Sequence, residues 1–158
     1  MKKILLALIL AAGLYWAFKS FSGPGTEPVP SKQVSAAPVP ATPVASKNFN
    51  KIFPGSADGL SVQFTQEKDG YAQADLLKGG KKLAQFSVSD TDANPTARDK
   101  FKNSTKQIGG HPSAAIGSMG TAVLVAGRYQ VQVRSTDPSF TAADREAWIA
   151  KFKLGELK

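Results

Sequence analysis

Six prolines fall between Gly23 and Lys47, in GPGTEPVPSKQVSAAPVPATPVASK, and little in that stretch is large and apolar. Each proline fixes its own φ and biases the residue before it toward extended backbone. The segment 23–48 is therefore predicted to be a linker rich in polyproline II, at about 3.1 Å per residue where extended. Its PVP repeats do not supply the anchored P-x-x-P pattern of a proline-motif ligand, so it reads as a spacer. Because it contributes nothing to a core, the folded unit is confined to residues 49–158. A segment of that length suits one domain and buries roughly two-thirds of its unfolded surface without disulfide or metal.

Ahead of the linker, Ile4 to Phe18 is an unbroken apolar run with Lys2 and Lys3 before it and Lys19 after it. As a helix at 1.5 Å per residue it reaches roughly 22 Å, short for a bilayer span but within what flanking residues absorb. Two readings stand. Ser20-Phe21-Ser22 offers small residues at the spacing of a signal-peptide cleavage site before Gly23. Retention is favoured by Tyr15, Trp16, Phe18 and Lys19, which would sit at the outer headgroup level as an aromatic and cationic interface. The lysines at the other end keep the N-terminus cytoplasmic by the positive-inside rule. The expectation is a signal-anchor helix over 1–22, single-pass in the inner (cytoplasmic) membrane, with membrane lipid as its partner and a periplasmic (extracytoplasmic) domain. The chain has no cysteine, which excludes lipoprotein anchoring, disulfides and thiol chemistry together.

The formal charge of +8 weakens as a nucleic-acid signal when it is divided. Residues 1–48 hold Lys2, Lys3, Lys19, Lys32 and Lys47 against Glu27, so half the excess belongs to the tether. In the domain, KGGKK and RDKFKNSTK are interrupted by acidic and turn residues and lack the stacking aromatics of a nucleic-acid face. No nucleic-acid partner is expected.

From residue 60 the apolar residues recur with a period of two. LSVQFTQ sets Leu60, Val62 and Phe64 against Ser61, Gln63 and Thr65. YAQADLLK and KLAQFSVSD follow across Gly70 and Gly79-Gly80 as second and third strands, with Ala74, Leu76, Ala84, Phe86 and Val88 inward. Asn94-Pro95 reads as a helix start for PTARDKFKNSTK, with Ala97 and Phe101 as its apolar side. Three more strands are predicted near 112–117, 121–126 and 129–135. TAVLVA is apolar on both sides and belongs inside the sheet. A closing helix carries a Thr141/Asp144 capping box and an apolar stripe of Trp148, Ile149 and Phe152. The predicted fold is α+β: an antiparallel sheet of about six strands, βββα twice, with two helices on one face.

Catalytic and metal patterns are weak. His111 is the only histidine and precedes a proline, and no G-x-S-x-G elbow accompanies it. DTDAN begins like a calcium loop, but Pro95 stands where glycine must turn and Phe101 where a bidentate glutamate must close the shell. It reads instead as a polar loop capped by Asn94. Asn103-Ser104-Thr105 is a short acceptor pattern for glycosylation, common by chance. No Walker or dinucleotide glycine fingerprint occurs. No cofactor, no metal and no enzymatic activity are expected.

The sheet face away from the predicted helices would carry Gln63, Thr65, Tyr71, Gln73, Gln85, Ser87, Gln130, Gln132 and Arg134. Amides and hydroxyls give up water at lower cost than charges, so this face is the candidate partner-binding surface. The string YQVQVRSTDPSFTAADREAW resembles the opening strand and helix of SPOR domains, peptidoglycan-binding modules often carried on an anchor and a proline-rich linker. The resemblance covers about twenty residues, and in this chain the strand falls near the end of the domain, with no room for the strands that should follow. Two functions are expected from these readings. The first is a non-enzymatic, membrane-anchored accessory protein docking onto a larger membrane or envelope complex. The alternative is an exported soluble binder of cell-wall glycan or another envelope polymer.

Overall fold

The computed structural model describes residues 48–158. The anchor expected over 1–22, with Tyr15, Trp16, Phe18 and Lys19, and the linker as far as Lys47 lie outside the described residues. Among the described residues no helix is long and apolar enough to cross a membrane.

Seven strands form one sheet: β1 (Leu60–Lys68), β2 (Tyr71–Lys78), β3 (Lys81–Asp90), β4 (Gln107–Ile108), β5 (His111–Ile116), β6 (Gly120–Val125) and β7 (Tyr129–Ser135). Every neighbouring pair is antiparallel, in the order β1-β2-β3-β7-β6-β5-β4. The two meanders join where β3 lies beside β7, with Phe86 opposite Val133 and Val88 opposite Val131. Alternation fixes which face is which, because a one-residue slip would turn every core side chain outward. Ala72, Ala74, Leu76, Ala84, Phe86, Val88, Val131 and Val133 are all fully buried on one side. β6 sits between β5 and β7, and Ala122, Val123 and Val125 are buried, as a strand apolar on both sides requires.

The hairpin turns follow from local chemistry. Lys78 pairs with Lys81 across Gly79-Gly80, whose φ values of 55° and 81° are those of a two-residue primed turn that only glycine enters freely.

Helix α1 (Ala142–Ile149) has the predicted capping box: Asp144 N–H donates to Thr141 Oγ1, and Asp144 Oδ2 accepts from Thr141 N–H at 2.7 Å. It lies over β6 and β7 and delivers Trp148 and Ile149 to the core. Phe152 follows it and packs on Phe86 with ring centroids 5.5 Å apart.

The second helix departs from expectation. Residues Pro95–Phe101 form a 3-10 helix, not an α-helix reaching Lys106. Asn94 makes no capping bond to the backbone; its Oδ1 accepts from Thr96 Oγ1 at 2.7 Å instead. Only Ala97 and Phe101 are apolar, a stripe too narrow to hold several turns. Beyond it, Ser104 turns toward the sheet and donates to Ser113 O at 2.6 Å. Residues 107–108 then add β4, a seventh strand where six were expected.

Nor do the two helices share one apolar layer. The 3-10 helix lies against β5 and β6, and Phe101 is buried outside the cluster that α1 completes. The rest of that cluster's cover comes from two single-turn 3-10 helices and the residues beside them: Phe49, Ile52 and Phe53 ahead of the strands, Leu154 and Leu157 after α1. Phe53 stacks against Phe152 at 5.3 Å and edge-on against Phe64 at 5.1 Å. Phe64 points to the core side as predicted, yet it is 43% exposed because β1 is an edge strand.

Candidate functional site: the amide-rich sheet face

Register gathers the predicted partner-binding residues onto one face. Tyr71, Ser89 and Gln130 stand in one row across β2, β3 and β7. Gln66, Gln73, Ser87, Gln132 and Ala122 form the next, from β1 to β6. Gln63, Asp75, Gln85, Arg134 and Gly120 form the third. Gln63, Thr65 and Arg134 are exposed, and the others of the predicted set are half-buried among their neighbours.

Hydrogen bonds tie the face together. Tyr71 Oη donates to Gln73 Oε1 at 2.7 Å, and Gln73 Nε2 donates to Thr65 Oγ1 at 3.0 Å. On β7, Gln130 Nε2 donates to Gln132 Oε1 at 3.1 Å. Burial pushes the Tyr71 phenol above its ordinary pKa, partly offset by a hydrogen bond with Ser87. The Lys68 ammonium stands 5.4 Å from the Tyr71 ring centroid. At this end the face opens into a cleft of about 430 Å³ lined by Lys68, Tyr71, Ser89, Asp90 and Asn94, among others.

Gln66, Asp75 and Ser89 join the face without having been anticipated, as do Ala122 and Gly120 on β6. Bulges place an extra residue in β1, between Phe64 and Gln66, and another where β2 meets β3 after Leu76. The first carries the row onto Gln66 instead of Thr65. Asp75 stands in the middle of the face and pairs with Lys82 Nζ at 2.8 Å, so the surface contains one neutralised charge pair. Asp75 was legible from its alternation with Ala74 and Leu76; the bulges left no signal in residue type.

DTDAN has a structural role in this geometry. Asp90, whose side chain is 3% exposed, accepts from Arg128 Nε at 2.9 Å and from Nη2 at 2.5 Å. This raises the Arg128 pKa still further. Asp92 pairs with Arg98 and approaches Arg128 Nε at 3.0 Å, while Arg98 Nε donates to Thr91 Oγ1 at 2.7 Å. The carboxylates thus clamp the 3-10 helix and the β6–β7 turn to the end of β3. Among the described residues no group of three or more His, Asp or Glu could hold a metal ion. His111 is the first residue of β5, opposite Ile108, and no hydrogen bond joins it to a serine or aspartate among the described residues.

Sequence reading also missed Arg145. It occupies the inner face of α1, three and four residues before Trp148 and Ile149, and is 6% exposed. That spacing, a cation in the first position of an apolar stripe, was the available signal. Comparison with protein-family models, curated proteins and solved structures finds no match in any of the three.

Proposed function

We propose that the protein is a non-enzymatic accessory protein that docks onto a larger membrane or envelope complex through the amide-rich face of its sheet. In this reading the apolar run Ile4–Phe18 is a retained single-pass anchor in the cytoplasmic membrane, and the proline-rich segment is an arm. The arm lets the domain search the extracytoplasmic surface near the bilayer. One observation carries the docking assignment: three aligned rows rich in Gln, Ser and Tyr span β1, β2, β3 and β7, with the Asp75–Lys82 pair neutralised and the exposed Arg134 at the far strand as the other charge among them. Such a face sheds water at lower cost than one of unpaired charges, and its amides present donors and acceptors together.

The test is co-purification of the full-length chain from mild detergent, as wild type and as Gln73→Glu/Gln85→Glu/Gln132→Glu. Stoichiometric partners with wild type and their loss with the triple variant are the expected result. Partners retained undiminished by the variant would move docking off this face, and a solitary protein under every gentle extraction would overturn the reading.

The alternative, a soluble exported binder of cell-wall glycan or another envelope polymer, draws on the cleft beside Tyr71, where an aromatic ring adjoins Ser89, Asn94 and the glutamine rows. Sedimentation with purified cell wall separates the two, because only the glycan reading retains the protein after residues 1–22 are removed.

A further inference from the structure

Among the described residues Arg145 is a buried cation with no carboxylate beside it. Nε donates to Thr121 Oγ1 at 3.0 Å, Nη1 to Ser135 Oγ at 2.8 Å and Nη2 to the carbonyl of Ser118 at 3.3 Å. All three acceptors are neutral, and among the described residues no acidic group lies within ion-pair distance of the guanidinium. A charge removed from water is ordinarily offset by an opposite one, so a neutral shell leaves most of its attraction unspent. A guanidinium has five N–H donors, and these bonds use one on each nitrogen.

The same side chain lines a pocket of about 210 Å³ between α1 and β5, open to solvent beside the exposed Ala115. Thr121, Ser113, Lys106 and Glu146 also line it. Lys106 Nζ bonds Glu146 Oε1 at 2.5 Å, so these two cancel and Arg145 sets the sign of the pocket. The volume admits a carboxylate with a few carbons.

We propose that this pocket binds a carboxylate group, with Arg145 as its principal partner. A planar carboxylate matches the guanidinium fork. The source is a small free acid or the carboxyl terminus of a peptide; both present the same group. The site lies on the α1 side of the sheet, away from the amide-rich face, so its test is independent of the docking test.

The experiment follows the full-length chain in detergent micelles by ¹H–¹⁵N spectra, observing Arg145 Nε–H and the amides of Ala115 and Ala142. Sodium formate is titrated against sodium chloride at constant ionic strength. A second arm uses N-acetyl-Ala-Ala as free acid and as amide. Saturable shifts with formate, absent with chloride and with the amidated peptide, are expected. Arg145→Lys should weaken them at least tenfold. Ala115→Leu, at an exposed position that leaves the core alone, should block the pocket to the same extent. A free-acid peptide that binds as formate does assigns the peptide terminus as a source, and formate alone assigns small acids; either supports the site. Shifts equal in chloride, or undiminished in Ala115→Leu, would overturn it.

Discussion

Lys153 donates its backbone N–H to the carbonyl of Ile52 at 2.9 Å, so the last segment of the domain is stitched to the first. Around that bond the first and last of the described residues form the cover that a second helix was expected to provide. Phe49 meets Tyr129 edge-on at 5.9 Å, and Tyr129 Oη donates to the carbonyl of Lys158 at 3.2 Å. Phe49 therefore belongs to the folded domain, well before its first strand. Phe49 is 1% exposed, and Phe49→Ala is expected to cost about 3–5 kcal/mol, the range for deleting a buried phenyl ring. Urea unfolding followed by Trp fluorescence measures it; a loss under about 1 kcal/mol would show that the terminal segment is dispensable cover.

Much of this arrangement could be read from residue order, and the unread part has a common cause. The strands 71–78 and 129–135 and the inward sets Ala74/Leu76, Ala84/Phe86/Val88 and Val131/Val133 follow from a period of two, which side-chain geometry imposes wherever one face is buried. Phe49, Ile52, Phe53, Leu154 and Leu157 show no period, because single 3-10 turns and the residues beside them are too short to repeat one and bury side chains through tertiary contacts. The 3-10 helix was read as longer and regular because Asn94-Pro95 is a sound start signal; what stops it is Ser104 reaching Ser113, nine residues away. On the candidate face, alternation placed the glutamines, while the two bulges and the Asp75–Lys82 pair depend on how neighbouring strands align.

The capping box links stability to pH. The side-chain hydrogen bond from Thr141, and then its backbone N–H, hold the Asp144 carboxyl below the ordinary aspartate value. A depressed folded pKa means the unfolded chain takes up the proton first. The contribution is therefore complete above the unfolded value, near 4, and is lost as pH falls below it. Thr141→Ala should cost about 1 kcal/mol at neutral pH, as for other lost N-caps. Its difference from wild type should shrink as the pH is lowered from 5 toward 2. Denaturation midpoints at several pH values check this; a constant difference would mean that the carboxylate takes no part in the cap.

Tyr71 makes the state of the amide-rich face observable. Burial raises its phenol pKa, so the folded protein holds that proton where the unfolded chain has released it. Stability is then predicted to fall as pH rises through the ordinary tyrosine value, near 10. In a spectrophotometric titration near 295 nm, Tyr71 should ionise later than free tyrosine. Tyr71→Phe should remove that late phase, and binding of a partner over the face should shift it. A titration indistinguishable from free tyrosine would mean that the Tyr71–Gln73–Thr65 chain is open to solvent.

Gly120 tests how tightly the β5–β6 turn is closed. A Cβ there would lie 2.7 Å from the Ile116 carbonyl oxygen and 2.9 Å from Ile116 Cβ. Both neighbours are at the base of the hairpin, where Ile116 pairs with Gly120, so neither can rotate away. Gly120→Ala is expected to destabilise by about 1–3 kcal/mol through overpacking. Urea midpoints measure the cost; a neutral outcome would require the turn to open without loss elsewhere.

Ala126 offers the opposite sign. It opens the β6–β7 turn with φ of 50° and is followed by Gly127 at 64°, so two consecutive residues occupy the left-handed region of a primed turn. Gly127 enters that region freely, whereas an alanine there costs roughly 1 kcal/mol through its Cβ. Asn-Gly is the favoured pair in such turns, because the asparagine side chain compensates locally and tolerates positive φ. Ala126 is exposed, so the exchange disturbs no packing. Ala126→Asn should therefore stabilise the domain by about 0.5–1 kcal/mol, and Ala126→Val, whose branched side chain tolerates the region still less, should destabilise it. The two midpoints moving in opposite directions would confirm the turn; movement in the same direction would show that side-chain size, not backbone conformation, governs the position.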